Sequence, residues 1–480
     1  MDALVETFMI AMLMLVVCYY IMMYIKNRQS HWDYGRIHSV VDMRILEPRS
    51  VESLQSFLRR NDAPVCVKGA GYSHGGQTMA ETSTQICLDR LDTISYDPLT
   101  TYVTVGAGAR WFDVLTHLAR HTRTIAEMQS YHNFSVGGAI AVNCHGRGTQ
   151  YGSISDTVVT MDVMLANGQI VTCNHTESYD LFRGVIGGYS LLGIILKATL
   201  LTVDNIMLDL VVTRTRSSDF MKHRVAENAV LYNCNLYPMR YDEAVSYTWI
   251  RSEGSSQDDA GDSVREWVQP KKRWYWAHMA LEQVLRRTSL LKYLRAYVEP
   301  VTRTLGHQIR SFATAEDANK LDVLSRHPST TVLQEYFVPV ENAQPFIDAI
   351  IPRLDAINVI NVSLRFVKPA KHCVLNYAPT SMVAIVLYLN IWNDDAGMTH
   401  FTDWNNGVLD LLKTCDGTYY LPYMLTYDPR KVRALYRTRW EDLMELKKRY
   451  DPCCKMRNTM YAHMNSRLPA PELKEEEENK

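Results

Sequence analysis

No Gly-Lys-Ser/Thr triplet occurs in this chain of 480 residues, which excludes a phosphate-binding P-loop. No crossover helix with an acidic partner follows its first glycine loop, so the dinucleotide fingerprint is missing there too. The ten cysteines lack zinc spacing. Cys453 and Cys454 are adjacent, and Cys66, Cys87, Cys144 and Cys173 fall in expected strands or loops, so no metal site is expected. Cysteines scattered through a long chain read as small buried residues of a reducing compartment rather than as a disulfide framework. A charge excess is absent as well. The net charge is -1, so the whole chain carries no nucleic-acid footprint. No internal repeat is visible.

An uncharged apolar run, Phe8 to Ile25, stands near the start. At about 1.5 Å per residue it crosses most of a hydrocarbon core. The residues before it are acidic (Asp2, Glu6) and no small-x-small cleavage site follows. Residues 1–30 therefore read as an uncleaved single-pass transmembrane anchor. Lys26 and Arg28 follow the run, and the positive-inside bias puts the main body in the cytoplasm. Asn133-Phe-Ser, Asn174-His-Thr and Asn361-Val-Ser match the glycosylation pattern. The first lies where a glycan would obstruct a ligand loop, which favours the cytosolic side.

The length suggests two to three domains, and 47% apolar residues allow a sizeable core. Ser50 or Ser53 caps an expected helix over 50–60. Short strands are expected at 65–67, 85–89 and 102–106, and a helix at 111–120. A hairpin turns at Asn167-Gly168 between 158–165 and 169–172. A helix over 180–188 ends at glycines, and a strand runs over 194–203. Further strands are expected at 211–214, 230–237, 244–250, 331–338, 359–366 and 382–391, with helices at 342–354, 403–415 and 428–450. Residues 251–262 read as a polar loop. Residues 271–310 are basic and aromatic. They form either an amphipathic helix on an anionic leaflet or a helical cover with a solvated face. The end of the chain, Glu472 to Glu478, is acidic and reads as disordered.

Two glycine loops stand out. One runs from Lys68 through Gly69-Ala70-Gly71-Tyr72-Ser73-His74-Gly75 to Gln77; the other runs from Ser135 through Val136-Gly137-Gly138 to Asn143, His145 and Gly146. Each follows a strand-like run. Glycines allow close backbone approach and positive φ, and successive free N–H groups make an anion nest. Two nests can hold a diphosphate between them.

These residues resemble a known family. Gly-x-Gly-x-Ser-x-Gly-Gly-Gln at 69–77, Val-Gly-Gly-x-x-x-Val-Asn-x-His-Gly at 136–146 and Gly-x-Ile-x-Asp-Thr-Val at 152–158 look like the FAD-linked oxidases of the vanillyl-alcohol oxidase / p-cresol methylhydroxylase type. Segments at 177–193, 333–339, 419–422 and 446–452 continue the match in order. The resemblance covers about 37–205 and 320–462. It is nearest to the non-covalent, decaprenylphosphoryl-ribose-oxidase-like members. It implies an α+β fold: a two-lobed FAD-binding domain of the p-cresol methylhydroxylase type at 37–205, and a substrate (cap) domain at 206–418. The cap domain would hold an antiparallel sheet covered by helices and the basic helical insert at about 271–310. A return to the FAD domain at 419–465 and a tail at 466–480 complete the chain, after the N-terminal transmembrane helix.

The resemblance implies that backbone amides of 69–76 and 136–139 bind the FAD diphosphate, with Ser73 as hydroxyl donor. Gln77, Asn143 and Ile154 are its expected contacts to the ribityl chain or ring, and Ile195 is a further expected FAD-binding residue. Covalent members carry a histidine directly before the loop serine. Here Tyr72 stands there and His74 comes after Ser73, so dissociable FAD is expected. Oxidation of a CH–OH group needs a base for its proton. His145 is placed by resemblance at the ring edge, as a base or as a structural histidine. Gln334 and Tyr336 share one strand face by period two and are expected to point at the pocket, with Glu335 facing away. Tyr423 stands where the relative carries a catalytic lysine, and it is a poor base unless its pKa falls. Asn390, Arg365 and Lys368 are further candidates. Arg365 would hold an anionic substrate or pair with a carboxylate.

The expected function is hydride transfer from a CH–OH group of a sugar, polyol or lipid-linked sugar to FAD. The alternatives are a carbon–carbon double-bond reductase of the sterol side-chain type and a silent flavin-binding membrane protein. The expected partners are a small-molecule or lipid-linked substrate and the membrane, with no nucleic acid.

Overall fold

The computed structural model describes residues 31–222, 225–253, 289–304, 308–316, 318 and 329–466. The apolar run at 8–25, the acidic tail, most of the polar loop at 251–262 and the first part of the basic insert lie outside the described residues. Among the described residues no helix is long and apolar enough to cross a membrane.

The chain enters through a short hairpin of β1 (His31–Trp32) and β2 (Ser39–Val40). A parallel sheet follows, ordered β3 (Arg44–Leu46), β5 (Thr84–Cys87), β4 (Val65–Lys68). The helix Val51–Arg60 connects β3 to β4, and it starts at a reciprocal capping box between Ser50 and Ser53. Its Leu54 and Leu58 are fully buried. A second, antiparallel sheet has the order β10 (Ile170–Asn174), β9 (Val158–Met164), β11 (Ile194–Asp204), β7 (Tyr102–Gly106), β6 (Ile94–Asp97), with β8 (Arg123–Ile125) on the far end of β11. The turn between β9 and β10 places Gly168 at φ +82°, which a β-carbon would disfavour.

The largest sheet is antiparallel throughout. Its order is β15 (Gln308–Arg310), β12 (Met207–Arg216), β14 (Arg240–Arg251), β13 (Ala229–Tyr237), β17 (Val359–Val367), β18 (Met382–Trp392), β16 (Ser329–Pro339), β19 (Thr418–Tyr419). Helices Ala343–Ile350 and Asp395–Thr414 pack on it. The latter begins earlier than its apolar pattern suggests, because Asp394 caps it by accepting from Gly397 N–H at 2.7 Å. Two expected helices are shorter than their patterns. The one at 342–354 ends at Ile350 and continues as a 3-10 turn, Ile351–Ala356, carrying Pro352 at its start. The one at 428–450 divides into Pro429–Tyr436 and Arg439–Tyr450, because Arg437 between them sits at φ +54°.

The C-terminal segment returns to the parallel sheet. Val65 bonds to both sides of it: its N–H donates to Lys455 O and its carbonyl accepts from Arg457 N–H, each at 2.9 Å. The Lys447 ammonium is buried at the root of this return. It donates to Leu191 O at 2.7 Å and pairs with Asp451, whose other oxygen accepts from Lys455 N–H at 2.9 Å. A buried charge is stable only when paired and bonded in this way. The segment 446–452 is thus a fastening between the chain end and the first lobe, and it places Tyr420 to Tyr423 over the glycine loops.

Candidate functional site

A pocket of about 190 Å³ runs between the two glycine loops and beneath the large sheet. Gly69, Ala70, Gly71, Tyr72, Ser73, His74 and Gln77 line it from the first loop. Ser135, Gly137, Gly138 and His145 line it from the second, with Ile195 from β11. Glu335 and Arg365 face it from the sheet, and Tyr420 and Tyr423 from the return segment.

The loops approach closely because glycine permits it. A β-carbon on Gly69 would lie 2.0 Å from Ser135 Oγ, and one on Gly137 would lie 2.6 Å from Ala107 Cβ. Gly71 sits at φ +79°. Several amides are spent within the protein. Ala70 N–H donates to Ser135 Oγ at 3.0 Å and Gly75 N–H to Gln77 Oε1 at 2.9 Å. Val136 and Gly137 N–H donate to Ala109 O and Ala107 O, both at 2.9 Å. The anion cradle is therefore narrower than the sequence suggests, centred on Gly69, Gly71, Ser73 and Gly138.

Several expected contacts lie elsewhere. Lys68 ends β4, and its side chain packs on Gly71. Gly75 crosses the return segment: a β-carbon there would stand 2.1 Å from Tyr423 O. Val136, Asn143 and Ile154 are buried in the protein behind the pocket. Asn143 Oδ1 accepts from Ser155 N–H at 3.3 Å, and its carbonyl accepts from Tyr377 OH at 2.7 Å. Gly146 packs on Met128 O and Glu127. Gln77 lines the pocket, but its amide also ties the first loop to Leu421 O at 2.6 Å.

The strand face is the reverse of the expected one. Glu335, not Gln334 or Tyr336, faces the pocket. Gln334 Oε1 accepts from Tyr419 OH at 3.0 Å and Tyr336 OH donates to Asn405 Oδ1 at 2.7 Å, on the side covered by helix Asp395–Thr414. Period two was correct and its phase was not, because helices bury one face of the sheet and the pocket takes the other. A usable signal was present: Glu335 is the one Asp, Glu, Lys or Arg in the strand 329–339, and a buried carboxylate needs partners.

Glu335 has them. Its Oε1 lies 2.6 Å from His145 Nε2, and its Oε2 accepts from Tyr423 OH at 3.0 Å. The His145 and Glu335 side chains are 3% and 2% exposed, so the pair is dry. Phe337, Tyr377 and Tyr420 surround the imidazole at ring distances of 5.2–5.9 Å. Burial, and then the Glu335 carboxylate, holds the Tyr423 phenol well above its ordinary value. Tyr423 is a neutral donor here and not a base. Arg365 stands two residues from Ser363, whose cross-strand partner Val386 also pairs with Glu335, so Arg365 shares the Glu335 face. Its Nε donates to Asn233 Oδ1 at 3.2 Å. Lys368 donates to Gln150 O and Asn390 lies beside Thr331; neither lines the pocket.

Buried polar atoms without a protein partner mark where a ligand belongs. Ser73 Oγ, His74 Nδ1 and His145 Nδ1 are such atoms on residues that line this pocket. Burial, then the nearby His38, pulls His74 down to about 4, so its ring is neutral at physiological pH.

A model described as an FAD binding domain matches residues 44–174. That span contains both glycine loops. Residues 44–174 thus form an FAD-binding domain, and the chain is similar to FAD-linked oxidases and dehydrogenases of the p-cresol methylhydroxylase type. It is 23% identical over 472 residues to cytokinin dehydrogenase 3 of Arabidopsis thaliana, covering 88% of this chain and 85% of that one. It is 33% identical over 164 residues to a D-arabinono-1,4-lactone oxidase of Yarrowia lipolytica, covering 33% and 31%. A putative D-arabinono-1,4-lactone oxidase of Neurospora crassa is 30% identical over 177 residues, covering 36% and 32%. The chain thus matches about a third of the length of these lactone oxidases. FAD is the cofactor, and the pocket fits it: the narrowed amide cradle suits the diphosphate, and the orphaned Ser73 hydroxyl supplies a donor beside it.

Glu127 lies behind the second loop. Burial pushes its carboxyl up to about 8, against the lowering effect of backbone bonds from Gly146 and Met128. The unfolded carboxyl releases its proton near 4.5 and the folded one near 8. Between these values the folded state binds more protons, so its stability falls as pH rises. Glu127→Gln removes this term. The melting-temperature difference, Glu127→Gln minus wild type, is expected to grow from pH 5 to pH 8, measured by calorimetry; a flat difference contradicts it.

Proposed function

We propose that this protein is an FAD-dependent oxidoreductase acting on a CH–OH group of a sugar, polyol or lipid-linked sugar. The observation that carries the reading is the chain Tyr423–Glu335–His145, held dry on the wall of the pocket that the two glycine loops form. FAD, when bound, supplies the two-electron acceptor for the hydride. Gly69, Gly71, Ser73 and Gly138 would hold its diphosphate.

The rest falls to the chain's own groups. Glu335 accepts a hydrogen bond from His145 Nε2–H, which leaves the lone pair on Nδ1. That nitrogen has no protein partner, so it takes the hydroxyl proton of the donor as general base. Tyr423, kept protonated, fixes the second Glu335 oxygen and so the orientation of the imidazole. The exclusion of water by Phe337, Tyr377 and Tyr420 strengthens the pair. Arg365 presents a cation on the same face and orients an oxygen of the donor.

The test is anaerobic bleaching of the bound flavin by D-arabinono-1,4-lactone, xylitol, a cytokinin or NADPH. Reduction by a hydroxylated donor is expected. Reduction by NADPH or the cytokinin alone overturns the CH–OH assignment. The named relatives support a hydroxylated donor only so far as two of them are lactone oxidases by name.

Non-covalent FAD is part of this proposal. Tyr72 occupies the position before Ser73 and packs against Tyr34 and Phe134 at 4.9 and 4.7 Å. His74 is wedged between Tyr34 and Tyr423. Acid precipitation is expected to leave the yellow colour in the supernatant; colour in the pellet contradicts it. The run at 8–25 is proposed to anchor the body at the cytoplasmic face of a membrane, with substrate arriving from it. Removal of residues 1–30 is then expected to release the protein to the soluble fraction and to lower its turnover of a lipid-linked substrate.

A further inference from the structure

A second cavity, of about 420 Å³, lies behind the second glycine loop. Its volume falls within the usual range of small-molecule sites, about 300–1,000 Å³. Two bodies of the fold build it. β8 and the end of β11 give Thr124, Ile125 and Val203, while β13 gives Ala229 to Leu231. The loop between them is pinned across the junction: Tyr232 N–H donates to Arg147 O at 2.8 Å, and Thr149 N–H to Val230 O at 3.2 Å.

The inner wall carries an unusual set of groups. Glu127, Gln129 and Ser130 are 3%, 8% and 9% exposed, and all line the cavity. Each has a buried polar atom with no partner: Glu127 Oε2, Gln129 Oε1 and Ser130 Oγ. Three such atoms within four residues call for a ligand, since an unmatched buried polar group costs about 1–3 kcal/mol.

The charges on the wall are spent or peripheral. Arg147 pairs with Glu316, and Asp204 pairs with Arg123. Glu227 and Arg251, of opposite sign, are exposed on the rim. Glu127, with its carboxyl pushed up to about 8, is neutral at pH 7 and offers both a donor and an acceptor. Gln129 Nε2 donates one of its two hydrogens to Tyr131 O at 2.7 Å, while its carbonyl has no partner in the protein. Leu115, Ile125, Val203 and Leu231 add apolar surface to the cavity. A ligand with hydroxyl groups and apolar C–H faces matches this set; an ion does not.

We propose that this second cavity binds a neutral, hydroxyl-rich small molecule of the sugar or polyol class. It adjoins the flavin pocket, because Gln129 and Ser130 line both. The proposal rests on the functional reading only for the choice of this class. The ligand is either the remote part of the donor or a separate hydroxylated molecule, and the test tells them apart.

The FAD-loaded protein is titrated calorimetrically with xylitol and with D-arabinono-1,4-lactone. Ala126→Phe fills the cavity from a wall residue and leaves the three polar side chains in place. At least one probe is expected to bind, and Ala126→Phe to weaken it at least tenfold with FAD content unchanged. Glu127→Leu is expected to weaken it as much, and Glu127→Gln, which keeps donor and acceptor, to retain it within threefold. If Ala126→Phe also raises the KM for flavin reduction, the ligand is the remote part of the donor. If binding is lost and reduction is unchanged, it is a separate molecule. No binding of either probe, or equal binding by wild type and Ala126→Phe, overturns the site. Flavin reduction untouched by Ala126→Phe alongside such a result leaves the proposed function standing. Binding without any flavin reduction does the reverse.

Discussion

Replacing His145 by alanine is expected to slow donor-driven flavin reduction about 10²- to 10⁴-fold while FAD remains bound. That range is about 2.7–5.4 kcal/mol of barrier. The imidazole does not hold the glycine loops together: its one hydrogen bond to the protein goes to Glu335. The pocket walls beside it stand on their own bonds, such as Tyr377 OH to Asn143 O. Its loss therefore removes a proton acceptor and leaves the cradle. Rapid-mixing measurement of flavin bleaching at several pH values reads the effect. The limb of the rate profile that reports the base should vanish in His145→Ala. Tyr423→Phe should slow the step only about tenfold and keep the limb, because the phenol orients Glu335 and transfers no proton in the step. An unchanged reduction rate in folded, yellow His145→Ala protein removes His145 from the chemistry.

The second large effect is expected at Gly75. A side chain there meets the backbone carbonyl of Tyr423 at 2.1 Å and the Gln77 amide at 2.5 Å. Backbone cannot step aside as a side chain can, so Gly75→Val must push the return segment off the first loop. Overpacking of this kind costs about 1–3 kcal/mol. Gln77 then loses its bonds to Leu421 O and Tyr423 O, and the Ser73 region loses its lid. The protein is expected to purify colourless, with FAD affinity reduced at least tenfold and a lower melting temperature. Gly407→Ala serves as the contrast. A β-carbon at Gly407, exposed on helix Asp395–Thr414, meets nothing within 4 Å. Alanine there is expected to raise stability by about 0.5–1 kcal/mol. A yellow, stable Gly75→Val protein contradicts the picture of crossed loops.

The sequence by itself determined a good deal. The glycine spacing at 69–77 and 135–146 marked the cradle, since close approach and positive φ are local needs that only glycine meets cheaply. Many of the strands followed from their apolar runs, and Asn167-Gly168 fixed one hairpin. His145 and Tyr423 were both visible as candidates. What spacing left open was which amides stay free. Ala70, Gly75, Val136 and Gly137 look like nest residues, yet their donors go to Ser135, Gln77, Ala109 and Ala107. Except for Gln77, those acceptors come from other parts of the chain, and no local pattern announces them.

The tertiary structure alone decided which face of β16 meets the flavin pocket. Alternation groups Gln334 with Tyr336 and sets Glu335 apart, but it is symmetric between the two faces. Helix Asp395–Thr414 settles the matter by burying Tyr336 against Asn405. Glu335 is thereby turned to His145, 190 residues earlier, and to Tyr423, 88 residues later. A pair so far apart in the chain meets only when three sheets and a returning C-terminus have packed, so the chemistry of this pocket is a property of the assembled fold.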